Sequence, residues 1–556
     1  MNDTVLLKPM SSLEKCFPDE AIEAHPQRDR YVMLRNERLA LQIGVQCRYA
    51  ESPHRPLLAS VRVDGPLKDC ITLRTVESVA SVYPVAAAEQ DPDYLRRDPG
   101  LFPDALRPIG YPDQSIRMPD ALLQSVWINV ELSDEIEAGE YETTVSLIDK
   151  NQACLAKTAF FVRVLNAKLP PQRLLHTEWF YTDCIAEINR ETPFSERHWK
   201  HVEDYLRVAV RNGINTILTP VFTPELDTAI GSYRLTTQLV SITVTEKNQY
   251  VFDFSLLERW IDLCQRVGVE YFEIPHFFTQ WGAKAAPKIV ARVGKNGRKK
   301  RIFGWDTDAL GAEYERFLSQ FIPALLNVFA QKGLDKQCIF HVSDEPRIAD
   351  LEHYKKCREL LSRYLGKDRL IIDALSSIDF YDSGALPNPV PHISHITPFL
   401  DRKIDGLWAY YCGYSDSITG RLLAHPLYRT RILGVQLWKN NIKGFLHWGF
   451  NFYHNQYSHA VLDPYADSHG SFFAPSGDAF LVYPAQNGGA DESLRLNALR
   501  EAMDDFRLLD LAESILGKNR IEEILSHVSF FDYPRSPNFL LDLHDTLALE
   551  VDRALN

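Results

Sequence analysis

Two textures of hydrophobic and polar positions divide the chain. Up to about residue 167, short β-branched runs recur between turn residues: Tyr31-Val32-Met33-Leu34, Leu57-Leu58-Ala59-Ser60-Val61-Arg62-Val63, Ser125-Val126-Trp127-Ile128-Asn129-Val130 and Phe160-Phe161-Val162-Arg163-Val164. Ala138-Gly139 marks a turn, and the segment after it alternates in character through Leu147, as a strand with one buried face requires. With little helical periodicity among them, these runs predict a β-sandwich over residues 1–167. Leu169-Pro170-Pro171 then forms a stiff linker, since each proline fixes its own φ and extends the residue before it.

Beyond the linker, short apolar runs alternate with amphipathic helical segments, the pattern of a parallel α/β fold. Strands are predicted at 176–181, 214–219, 271–276, 338–343, 369–374, 392–397, 407–411 and 444–449, with helices such as 195–211, 255–267, 311–331 and 350–365 between them. Eight strands predict a (β/α)8 TIM barrel over 174–511, and no Gly-x-Gly-x-x-Gly follows the first strand to favour a dinucleotide fold. The interval from Thr279 to Ala309 is long for one loop and holds a basic run, Lys295 to Arg301, read as a solvated hairpin. The tail, 512–556, is expected to be a helical extension packed on the barrel, with Ser536-Pro537 opening its final helix.

Composition narrows the partners. The 556 residues carry a net charge of −13, which disfavours nucleic acid and anionic membranes, and no run approaches the ~20 apolar residues of a membrane span. Nine dispersed cysteines without a Cys-x-x-Cys, and no apolar leader after Met1, lead to an expectation of a reduced, cytoplasmic protein.

Barrel chemistry sits at the C-terminal ends of strands. The fourth predicted strand, Ile339-Phe340-His341-Val342-Ser343, runs straight into Asp344-Glu345-Pro346. Adjacent carboxylates repel, so one proton is held more tightly, as a glycosidase acid requires. A blander role for Asp344 is to cap the following helix. A retaining glycosidase also needs a nucleophile across the sugar, yet the seventh strand end, Trp408-Ala409-Tyr410-Tyr411-Cys412, has no carboxylate. Asp405 lies at the wrong end, Asp416 deeper in the loop, and Glu273 mid-strand. Substrate assistance explains the gap: a 2-acetamido oxygen attacks the anomeric carbon, Asp344 orients that group, and Glu345 acts as acid and then base.

Other strand ends offer sugar contacts: Trp179, Tyr181 and Asp183; His276, Gln280 and Trp281; Tyr410 and Tyr411; and Trp448, Asn451 and Tyr453. Trp448 is a candidate floor for the sugar, and Tyr410 or Tyr411 a donor to the acetamido carbonyl. No metal-ligand spacing, cofactor motif or Gly-x-Ser-x-Gly elbow is present, and His392/His395 and His454/His459 are pairs without a third ligand. The expectation is therefore no cofactor and no metal. Residues 1–167 hold no carboxylate pair at a strand end, so the sandwich is expected to support the barrel without joining the chemistry.

The blocks Thr177-Glu178-Trp179-Phe180-Tyr181-Thr182-Asp183-Cys184, Thr219-Pro220-Val221-Phe222-Thr223-Pro224, His276-Phe277-Phe278-Thr279-Gln280-Trp281-Gly282, Ser343-Asp344-Glu345-Pro346 and Gly477-Asp478-Ala479-Phe480-Leu481-Val482-Tyr483-Pro484 resemble the catalytic domain of glycoside hydrolase family 123. The resemblance implies a β-N-acetylgalactosaminidase with a barrel behind a β-sandwich and Asp344 and Glu345 as its catalytic pair. The substrate would be a carbohydrate with a terminal 2-acetamido sugar. A β-N-acetylglucosaminidase, another glycosidase on the same barrel, and a non-catalytic carbohydrate-binding protein remain as alternatives.

Overall fold

The computed structural model describes residues 4–50, 56–86, 91–109, 115–247, 249–294, 296–413 and 418–556. Asp416 and Lys295 lie outside them. The N-terminal part holds two facing sheets. One contains Thr4–Ser11, Arg38–Arg48, Leu123–Glu131, Ile71–Ser81 and Gly100–Pro108; the other contains Arg30–Arg35, Cys154–Lys168, Gly139–Ile148, Leu57–Asp64 and Ser115–Met118. Period-two alternation decides which side chains meet between them. From Arg38–Arg48, the odd positions Leu39, Leu41, Ile43 and Val45 enter the sandwich core with Phe160 and Val162 of the opposite sheet. Ala40, on the other face, belongs instead to the core shared with the barrel.

The eight parallel barrel strands are, in chain order, Leu175–Glu178, Thr216–Leu218, Tyr271–Glu273, Cys338–Phe340, Leu370–Leu375, Asn388–Pro391, Trp408–Tyr410 and Gly444–His447. The first pairs with both the second and the eighth, and a bridge between His392 and Tyr410 closes the ring. At Gly444 the absence of a side chain is a packing requirement, because a Cβ there would lie 2.1 Å from the Trp408 ring. Seven strands fall where the apolar runs predict them. The sixth does not: residues 392–397 form a short turn and the start of a helix, and the strand is the preceding Asn388-Pro389-Val390-Pro391. Two prolines argue against a strand in sequence. They are tolerated because His392 N–H donates to Leu375 O on the fifth strand. Alternation then turns the missing N–H groups of Pro389 and Pro391 toward the lightly paired seam with the seventh strand.

The interval 279–309 is not a bare loop. Ile289–Val293 and Arg298–Phe303 pair as a hairpin and join Ser241–Val244 and Tyr250–Asp253 in a four-stranded sheet beside the barrel mouth. Arg298, Lys299 and Lys300 are exposed on its edge strand.

The two halves are stitched together. After the eighth barrel strand the chain returns to the sandwich, where Ala490–Ser493 pairs with Gly100–Pro108 and Tyr483–Pro484 extends the same sheet. Buried ion pairs cross this seam: Glu492 meets Arg38 at 2.9 Å and Arg74 at 3.4 Å, and Arg495 meets Asp104 at 2.9 Å. Arg495 also donates to the carbonyls of Gly477 and Phe480, tying the Gly477–Pro484 block to the helix that starts at Leu494. The final helix, Pro537–Leu555, is capped by Ser536 as expected. It reaches further than the barrel, since Asp552 accepts from Asn166 N–H and Asp545 pairs with Arg28, both in the sandwich.

Candidate active site

The cavity at the C-terminal mouth of the barrel has a volume of about 410 Å³ and contains both Asp344 and Glu345 in its lining. That is near the small end of the range for ligand pockets, roughly 300–1,000 Å³. The fourth strand ends at Phe340, and the two carboxylates sit on the turn that follows. The next helix begins only at Leu351, with Asp350 at its N-cap, so Asp344 does not cap it.

Neighbouring strands fix this turn from several sides. Ser343 Oγ donates to Thr279 O at 2.8 Å, Trp281 N–H to Asp344 O at 2.9 Å, and Glu345 N–H to Ala374 O at 3.2 Å. Glu345 has φ +40°, a left-handed conformation that costs energy outside glycine and persists where surrounding bonds over-determine it. From the seventh strand, Tyr410 O–H donates to Glu345 Oε1 at 2.5 Å.

Burial holds the Asp344 carboxyl well above the usual carboxylate range, and the neighbouring Glu345 charge adds to the effect. Tyr410 keeps its phenolic proton, because burial and the Glu345 charge both oppose its loss. Asp344 therefore holds its proton beside Glu345, whose Oε1 accepts the Tyr410 bond.

Beneath the cavity lies a fully buried network. Glu273 accepts from Thr177 Oγ1, from Trp179 Nε1 at 2.7 Å and from His341 Nε2 at 2.6 Å. His341 Nδ1 reaches Asp373 at 3.2 Å, and Asp373 also accepts from Val342 N–H and Tyr354 O–H. Burial opposes a charge on His341, but the two flanking carboxylates prevail and raise its pKa to about 10. The network clamps the backbone at Val342, two residues before the acidic pair.

A barrel of this construction with two acids at the end of its fourth strand is matched, over residues 179–512, by the family model described as glycoside hydrolase 123, catalytic domain. The chain belongs to glycoside hydrolase family 123. No relative among the curated proteins matches it. Among solved structures, a family 123 glycoside hydrolase from Clostridium perfringens, described in terms of glycolipid glycan hydrolysis, is similar over 100% of this chain and 98% of its own, with TM-score 0.71 and 16% identity. That likeness speaks for the fold, sandwich and C-terminal helices included. A Bacteroides ovatus family 5 xyloglucanase covers 86% of this chain and 98% of its own, at TM-score 0.31 and 9% identity. A Bifidobacterium dentium β-glucuronidase covers 90% and 66%, at TM-score 0.32 and 8% identity. Neither bears on function.

Within this family 123 barrel, Trp179, Tyr181, Gln280, Trp281, Tyr410 and Trp448 line the cavity together with the acidic pair. Five other expected sugar contacts do not reach it; they are buried in the scaffold around and beneath it. Asn451 braces the first strand end by bonding both the N–H and the carbonyl of Tyr181, at 2.8 and 3.0 Å. Tyr453 O–H donates to Val482 O at 2.9 Å. Tyr411 packs on Phe445 and His447, and His276 lies under the cavity with its ring 4.4 Å from that of His341. Asp183 is bound to Arg234 at 2.7 Å.

Sequence reasoning missed Asp227, Asp478 and Tyr83, all of which line the cavity. Asp227 follows the second strand end and Asp478 lies in a quoted block, so both had a positional signal. Tyr83 had none: it comes from the sandwich, which therefore supplies part of the cavity wall. It is held there by Ser476, whose N–H donates to Tyr83 O at 2.9 Å. Two buried groups have metal-ligand atoms within reach of one another, Asp183/Cys184/His454 and His276/His341/Asp373. Most of these atoms are already bonded, Asp183 to Arg234, His454 to Glu187 and Cys184, and His341 to Glu273 and Asp373.

Proposed function

We propose that the protein is a retaining exo-glycosidase that removes terminal β-linked N-acetylgalactosamine, using the sugar's own 2-acetamido group as nucleophile. The observation that carries the reading is the adjacent pair Asp344 and Glu345 in one small cavity, together with the state of the acids that would otherwise serve as nucleophile. Glu273 is fully buried with its oxygens bonded inside the barrel. Asp478 is buried, with Oδ2 accepting from Trp448 Nε1 at 2.9 Å and Oδ1 facing His447 at 3.4 Å. Asp405 is exposed at the opposite end of the seventh strand.

In this reading the acetamido N–H binds Asp344, which requires that carboxylate ionised and transfers the shared proton to Glu345. The acetamido oxygen then bonds to C1 as the C1–O glycosidic bond breaks, and the leaving oxygen takes the Glu345 proton. Asp344 stabilises the charged oxazoline ring through its N–H. Water next attacks C1 from the vacated face and gives its proton to Glu345 as the ring opens, so configuration is retained. Trp448, its indole tied to Asp478, floors the sugar. The family resemblance supports galactosamine over glucosamine. The Clostridium relative supports oligosaccharides or glycolipid headgroups as the source, and nine free cysteines support a reducing, cytoplasmic setting.

A thiazoline analogue of the oxazoline intermediate tests this directly. It should bind at least ~100-fold more tightly than free N-acetylgalactosamine, because it mimics the species the site stabilises. Equal affinity would contradict substrate assistance.

A further inference from the structure

Asp227, on the loop after the second barrel strand, is a third acid in the cavity lining, and the mechanism above does not use it. Two neighbouring loops hold it. Its N–H donates to Gln280 Oε1 at 2.6 Å, Tyr457 N–H donates to its Oδ2 at 3.0 Å, and Ser458 Oγ donates to its carbonyl at 2.7 Å. Ala229 N–H and Tyr457 O complete the tie at 3.1 Å. The residue is held at φ +42°, a left-handed conformation a surface aspartate would relax from. Its second oxygen, Oδ1, has no protein partner among the described residues, and the side chain is only partly buried. A rigid carboxylate with one free acceptor in a sugar-sized cavity is a hydroxyl ligand by its chemistry.

The fold says which hydroxyl. Glu345, supported by Tyr410 from the seventh strand, marks the anomeric position, and Asp344 marks C2. On the other side of Asp344 stand the loops of the third and second strands: Trp281 N–H donates to the Asp344 carbonyl, and the adjacent Gln280 accepts from Asp227 N–H, so one loop ties the two acids together. Continuing around the ring from C1 and C2 leads to C3. We propose that Asp227 accepts the 3-hydroxyl of the bound sugar and thereby restricts the enzyme to terminal 2-acetamido sugars that carry no substituent at O3. This rests on the functional reading above and names its substrate class. A glycan extended at O3 would place a bulky group against the braced Asp227 loop.

The test is a series of aryl β-N-acetylgalactosaminides, the parent with its 3-deoxy, 3-O-methyl and 4-deoxy analogues, assayed with wild type, Asp227→Asn and Asp227→Ala. For wild type, loss of the 3-hydroxyl should lower kcat/KM roughly 10- to 100-fold, as expected when a carboxylate loses its bound donor. The 3-O-methyl analogue should be cleaved at least as poorly. Asp227→Ala should suffer a similar loss on the parent and less than about threefold more on the 3-deoxy analogue, because both changes remove one interaction. The 4-deoxy penalty should be alike in all three enzymes. Multiplying losses in Asp227→Ala, or 3-O-methyl cleavage by wild type near the parent rate, would overturn the assignment; the second outcome needs no variant. Abolished turnover in Asp227→Asn with azide rescue would instead make Asp227 a nucleophile and sink the functional reading as well. Parent cleavage with a flat 3-position series would sink the Asp227 assignment alone.

Discussion

Tyr410 O–H donates to Glu345 Oε1 across 2.5 Å, joining the seventh strand end to the acidic turn after the fourth. The bond occupies one oxygen of the acid before substrate arrives and fixes the direction of the other. Tyr410→Phe should therefore lower kcat/KM roughly 10- to 100-fold, the value of one charge-assisted bond. An unchanged rate would show that the bond does not reach the chemistry.

The two acids should fail differently. Glu345→Gln should lose roughly 10²–10⁴-fold on glycosides with poor leaving groups and much less in the first step on activated aryl glycosides, which need little protonation. Asp344→Asn should be severe on both, because the internal nucleophile loses its alignment whatever leaves. Brønsted plots of kcat/KM against leaving-group pKa separate the cases. Parallel plots for the two variants would remove the division of roles.

At the seam between the halves, burial resists ionisation of Glu492, but Arg38 and Arg74 prevail and hold its pKa at about 2. A carboxyl depressed in the folded state contributes stability that is fully present above its unfolded value, roughly 4.3, and is lost as pH falls toward the folded value. Glu492→Gln leaves two buried guanidiniums short of a partner and should cost about 3–5 kcal/mol at pH 7. Denaturant midpoints of the two proteins should converge as pH drops from 5 toward 2. A gap independent of pH would contradict the pairing.

Tyr83 tests the contribution of the sandwich. Its ring lies 5.7 Å from Phe472 and 6.5 Å from His469, on the eighth-strand side of the cavity. Tyr83→Ala should raise KM several-fold while leaving thermal stability nearly unchanged, since the side chain is only partly buried. A fall in melting temperature without a change in KM would return the sandwich to a purely supporting role.

Much of this was legible because strand ends have local signatures. Asp344-Glu345-Pro346 follows an apolar run, and Trp179, Trp281, Tyr410 and Trp448 stand at or beyond the ends of four other strands, so the barrel rule placed them on one rim. Asn451 and Tyr453 met the same rule and still turned away, because backbone groups at Tyr181 and Val482 needed their bonds more than the cavity did. The sixth strand was hidden by its prolines, whose tolerance depends on a neighbour no local pattern reveals. Tyr83 required knowing how two domains dock, and Glu492 and Arg495 show that the docking is written in residues more than 380 positions from their partners Arg74, Asp104 and Arg38.

The central claim is that the acetamido group is the nucleophile, and a matched pair of aryl glycosides tests it most directly. The β-N-acetylgalactosaminide should be hydrolysed with retention. The β-galactoside, identical but for the acetamido group, should be left intact at the same enzyme concentration. Hydrolysis of the galactoside at a comparable rate would contradict the account and require a protein nucleophile.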